Sequence, residues 1–133
     1  MRRRGFGIGV VGFAATLARP ALAQAEVSGP LVVYTSQLEP DAAGTVEAFR
    51  RRHPGVAVEW IRGGTGQIMT RLRAEIAAGN PRPDVLLLAD SLTFEALKAE
   101  GRLRASPEIA TAGIQGEHLD PGRAYFGTKL ITT

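Results

Sequence analysis

Three short polar runs in this chain carry the groups best suited to hold a ligand, and each follows a run of apolar residues. Gly63-Gly64-Thr65-Gly66 stands between a β-branched run and an amphipathic one. A glycine-rich turn at the start of a helix leaves backbone N–H groups free at the positive end of the dipole, where anions bind. It has neither the lysine nor the spacing of a P-loop and does not match G-x-G-x-x-G, so nucleotide binding is disfavoured. A tight turn that needs glycine for its geometry accounts for the same four residues. Tyr34-Thr35-Ser36-Gln37 supplies a phenol, two hydroxyls and an amide, suited to a hydrated or anionic guest. The alternative is a polar turn in which Ser36 bonds the backbone. Asp90-Ser91 pairs a carboxylate with a hydroxyl, which can ligate a hard cation, hold an amine or cap a helix. Capping is the role expected of Ser91.

Other chemistry finds little to work with. Cysteine is absent, which removes thiol nucleophiles, thiolate metal sites and disulfides. His53 and His118 are far apart, and neither has ligand spacing with another His, Asp or Glu, so solvated imidazoles are expected. No G-x-S-x-G or H-E-x-x-H motif and no Ser-His-Asp grouping is visible.

These polar runs must be positioned by the elements between them. Leu31 to Thr35 reads as a buried strand, and Asp41 to His53 as a helix with Ala42, Val46 and Phe49 on one face. Pro54-Gly55 stops that helix where Arg50, Arg51 and Arg52 suit the negative end of its dipole. Val56, Val58 and Trp60 alternate in a second strand. A second helix carries Ile68, Leu72 and Ile76 at helical spacing, with Arg71, Arg73 and Glu75 facing elsewhere, and ends at Gly79-Asn80-Pro81. Val85 to Ala89 is an unbroken apolar run, as expected of a central parallel strand covered on both faces. A third helix follows with Leu92, Phe94 and Leu97, terminated by Gly101. Residues 106–123 read as loop with one short helical turn, and residues 125–133 as a further strand. Strand and helix alternating at this spacing predict an α/β fold with an open, mostly parallel sheet and flanking helices. Ligands of such sheets bind beyond the carboxyl ends of the strands, where all three polar runs fall.

The amino terminus reads as an address. Arg2, Arg3 and Arg4 precede an uncharged stretch, Gly5 to Ala18, and Ala21-Leu22-Ala23 offers a small-x-small cleavage site. Residues 1–23 are therefore expected to be a secretory signal peptide cut after Ala23, with Arg3-Arg4 and the glycine-diluted apolar stretch leaning towards twin-arginine export. Losing Arg2, Arg3, Arg4 and Arg19 from the 16 basic residues leaves 12 against 13 acidic ones. The high pI of the precursor thus belongs to the leader, and no nucleic-acid partner is indicated.

With these residues in place, the chain resembles the family 1 extracellular solute-binding proteins of ABC importers, in the branch of ferric-iron and phosphonate receptors with the type 2 periplasmic binding fold. The likeness is carried, in order, by Leu31 to Gln37, Phe49 to Gly55, Val56 to Glu59 and Arg62 to Gly66. It continues through Arg71 to Glu75, Pro83 to Leu86, Ala96 to Leu103 and Tyr125 to Thr128. It implies a periplasmic receptor, not an enzyme and without a cofactor, that closes two lobes on a small molecule or metal ion and delivers it to a permease in the inner membrane. Residues 24–133 would be part of the N-terminal lobe, and the full-length family member is expected to be a monomer. By position, Ser36, Gln37, Thr65, Gly66, Asp90 and Ser91 would face the ligand. Gly64, Thr65 and Ser36 would hold a phosphonate or similar oxyanion, and Asp90 would be a metal ligand if the cargo is ferric iron. Ferric receptors often place a histidine just after this glutamine, where Leu38 stands here. Two other readings compete: a small exported α/β enzyme using Asp90 as a base, and a truncated product without activity of its own.

Overall fold

The computed structural model describes residues 27–128. The leader and cleavage site expected over residues 1–23 lie outside the described residues, as do residues 129–133 of the last expected strand. The elements run β1 (Gly29–Thr35), α1 (Glu39–Arg52), β2 (Val56–Arg62), α2 (Thr65–Ala77), β3 (Val85–Leu87) and α3 (Ser91–Ala99), followed by a 3-10 turn at Gly116–His118. The strands form one parallel sheet in the order β2-β1-β3. The α/β architecture with an open parallel sheet and flanking helices is therefore the observed one.

Residues alternate across a strand, and both faces of β1 are used. Leu31 and Val33 share a cluster with Val56, Val58, Trp60 and Leu87, covered by Val46 and Phe49 of α1. Tyr34 points the other way, towards α2, where Ile68 and Leu72 are buried. Each fully buried aliphatic side chain of this kind stabilises by about 1.5–3 kcal/mol relative to exposure. β1 is thus the central strand.

The third apolar run forms a shorter strand than expected. β3 spans three residues instead of five and pairs only with β1 among the described strands, with Val85 exposed and Leu86 and Leu87 half-buried. Hydrophobicity along the chain does not give the strand order, because β1 and β3 both read as unbroken apolar runs. Asp84 extends the short pairing: its N–H donates to Val32 O and its Oδ2 accepts from Val32 N, both at 2.8 Å.

α1 starts two residues earlier than expected, with Pro40 in its first turn beside Glu39 and Asp41, and Arg50, Arg51 and Arg52 in its last. Each end matches the helix dipole. Gly101 ends α3 as expected, at φ 66°. Its N–H donates to Lys98 O and that of Arg102 to Leu97 O, both at 2.9 Å, satisfying carbonyls the helix leaves unpaired. Beyond it, residues 104–128 form a strap against α3, with the short helical turn where it was expected. Of the strand expected from Tyr125, the described part contains one antiparallel bridge, Leu119 with Phe126.

Candidate functional site

The parallel register sets the three strand ends at one level: Thr35 lies opposite Arg62 of β2 and Leu87 of β3. Two hydrogen bonds tie the turns beyond them. Gly63 N donates to Thr35 O at 3.1 Å, and Ser36 N donates to Leu87 O at 2.9 Å. The turns after β1, β2 and β3 therefore lie side by side along one rim, and α1, α2 and α3 all begin there.

The polar runs divide at this rim. Ser36, Gln37, Thr65 and Asp90 are half-buried, and Gly64, Gly66 and Ser91 are exposed. Tyr34 and Thr35, in contrast, are 0 % and 1 % exposed. The Tyr34 hydroxyl donates to Glu75 Oε1 at 2.6 Å and accepts from Arg71 Nε at 3.0 Å. Thr35 Oγ1 accepts from Gln37 N at 3.1 Å. The phenol and one of the two hydroxyls expected at the edge are thus structural, because strand alternation turned one under α2 and the backbone claimed the other. Glu75 and Arg71 consequently face Tyr34, against the expectation that they point away from the core. Burial pushes the Tyr34 phenol up, and the Glu75 hydrogen bond adds to it. For Glu75 burial acts upwards, but bonds from Tyr34, Arg71 and the Arg82 amide outweigh it and hold the carboxyl below its ordinary value.

At the glycine turn, two of the N–H groups expected to be free are taken. Gly63 N is bonded to Thr35, and Gly64 N donates to Gln67 Oε1 at 3.1 Å. Gln67 stands three residues after the N-cap Gly64 and returns its side chain to the Gly64 N–H; glycine has no side chain to reciprocate, so only half of a capping box forms. Gly63 has a steric reason to be glycine: an added Cβ would lie 3.2 Å from Gln67 Oε1 and 3.5 Å from Ile68 Cδ1. Gly66 has none of that kind, since a Cβ there meets nothing within 4 Å. The first turn of α2 carries no acidic residue.

The third turn reverses one assignment. Asp90, not Ser91, caps α3: its Oδ1 accepts from Thr93 N at 2.7 Å, and Ser91 is the first helical residue. An N-cap side chain accepts from the N–H two or three residues on, and because α3 begins at Ser91 that position belongs to Asp90. One carboxylate oxygen of Asp90 is therefore committed to the fold.

Gln37 holds a different kind of position. Its N–H goes to Thr35, its carbonyl accepts from Arg62 Nε at 3.1 Å, and its side-chain Oε1 is buried without a hydrogen-bond partner among the described residues. Among the described residues, no group of three or more His, Cys, Asp or Glu side chains is placed to hold a metal ion. A depression of about 450 Å³ lined by Ala48, Phe49, Arg51, Arg52 and His53 sits at the end of α1, away from the rim.

A polar, partly open rim at the carboxyl ends of a parallel sheet is where folds of this class hold their ligands. The family model for bacterial extracellular solute-binding proteins matches residues 34–126. The chain belongs to that family, which carries an extracellular solute-binding role in ABC import and, with it, a small-molecule ligand and a membrane permease as partners. A search of the curated proteins returns no match.

Proposed function

We propose that this chain forms part of the N-terminal lobe of a periplasmic receptor for an ABC importer, and that its rim takes a small oxyanion such as a phosphonate. The observation that carries the reading is the common level of Thr35, Arg62 and Leu87, with the turns beyond them bonded together. Ser36 and Thr65 bring hydroxyls to that rim, Gln37 an amide, and the start of α2 a positive dipole end undiluted by acidic residues in its first turn. A ferric ion draws on several anionic oxygen donors. Of Ser36, Gln37, Gly64, Thr65, Gly66, Asp90 and Ser91 only Asp90 is anionic, and one of its oxygens caps α3. That commitment also weighs against Asp90 as the base of an exported enzyme.

Titrating the chain with methylphosphonate, phosphate and ferric citrate, followed by amide chemical shifts, tests this reading. Oxyanions should move the amides of Ser36, Gln37, Thr65 and Gly66 together, at millimolar concentration for a single lobe. Shifts scattered over the surface, or a response to ferric ion alone centred on Asp90, would refute the oxyanion.

A further inference from the structure

The rim has a feature that bare phosphate leaves unexplained. Leu92 and Leu38 are 80 % and 67 % exposed, ahead of Val27, Ile109 and Val85 among the large apolar residues exposed in the described chain. Leu38 stands in the turn after β1 and Leu92 in the first turn of α3, which follows β3, and the bond from Ser36 N to Leu87 O ties the ends of those two strands together. Val27 and Ile109 lie elsewhere, one ahead of β1 and one in the strap. Single exposed leucines are ordinary on a protein surface. Leu38, however, occupies the N-cap of α1 and makes no side-chain capping bond there, at a position where Ser, Thr, Asp or Asn would stabilise the helix. It is poor for folding twice over, as an absent cap and as apolar surface in water. Leu92 departs in the same way, lying in the first turn of α3 outside the buried stripe, in which Leu97 is 1 % exposed.

We infer that Leu38 and Leu92 are specificity-determining residues of the rim, and that the solute carries an apolar substituent beside its charged group. An alkyl- or aryl-substituted oxyanion has this chemistry: its head suits Ser36, Gln37 and Thr65, and its tail covers the leucines. The inference rests on the reading of the rim as the binding edge. It narrows the ligand class from small oxyanions in general to those with a hydrocarbon arm.

The test is a homologous series of inorganic phosphate, methyl-, propyl-, hexyl- and phenylphosphonate, titrated against the chain and against L38S and L92S by amide chemical shifts. Affinity should rise along the series by up to about fourfold per methylene that becomes buried. Each serine variant should flatten that rise. Leu38→Ser also installs a capping hydroxyl, so it should not lower the melting temperature, and lost discrimination could not be blamed on unfolding. Phosphate binding with no dependence on chain length would overturn this inference alone. A dependence that survives both serines, with the leucines serving a protein contact instead, would overturn it as well. Absence of binding by every oxyanion would remove the binding-edge reading first, and this inference with it.

Discussion

Between Gly29 and Ala77 the chain is held by apolar side chains packed on both faces of β1; between Ser91 and Phe126 it is held largely by charges and rings. In the first region Val33, Val46, Val56, Val58, Ile68 and Leu72 are all buried. In the second, the strap is fastened to α3 by an ion pair between Lys98 and Asp120, a hydrogen bond from the Tyr125 hydroxyl to Glu95, and the Phe94 and Tyr125 rings stacked with centroids 5.4 Å apart. Asp120 is 1 % exposed and also accepts from Ala124 N at 2.9 Å, while Arg123 N donates to its carbonyl. Apolar packing is diffuse and tolerates the loss of one contact, whereas the strap depends on a few directional bonds around one buried carboxylate. The two regions should therefore fail differently.

The largest effect is expected from Leu72→Ala, which opens a cavity under the sheet. It should destabilise the whole fold by about 2–5 kcal/mol and lower the melting temperature by about 10 °C or more, measured by circular dichroism. Asp120→Asn should act locally instead. Amide exchange should accelerate over residues 106–126 and little over β1 and β2, and comparable acceleration in both regions would show that they unfold as one unit.

The same contrast has a pH signature. Lys98 first, and the Ala124 amide next, hold the Asp120 carboxyl below its ordinary value of 3.8. A depressed carboxylate contributes stability that is fully present above that ordinary value and is lost as pH falls through the lower folded value. Strap protection should thus decline in acid below about pH 4 while the sheet persists, and D120N should show no such decline in its strap.

Smaller effects sharpen the picture of the sheet. Tyr34→Phe removes the hydroxyl shared by Glu75 and Arg71 and should cost about 1 kcal/mol in denaturant unfolding. Gly63→Ala pushes on Gln67 and should cost about 1 kcal/mol, while Gly66→Ala should be neutral or stabilise slightly. Equal costs at the two glycines would mean that the contact with Gln67 does not set the difference.

Element by element, the legible part of this fold is the part built on periodicity. Alternation at Val56, Val58 and Trp60 gave β2, helical spacing at Ile68 and Leu72 gave the buried stripe of α2, and Gly101 marked the end of α3. Leu92 misled for the same reason, since an apolar residue near the start of a helix reads as core whether or not anything covers it. Asp120 was not singled out: Asp120-Pro121-Gly122 reads as a turn, and nothing local announces that Lys98, 22 residues away, will pair with it. At the rim, the glycine turn and the two polar runs were found, but not which of their groups would be consumed by the fold.

The sequence by itself determined the order and type of the elements, because hydrophobic period and turn chemistry are local properties. From that order follows the alignment of three polar turns at the carboxyl ends of parallel strands. Only the tertiary structure decided that β1 lies between β2 and β3, that Tyr34 lies under α2, and that Gln67 and Asp90 are occupied as helix caps. Those outcomes depend on which face of each strand meets which neighbour, and that choice is made by packing among residues distant in the chain.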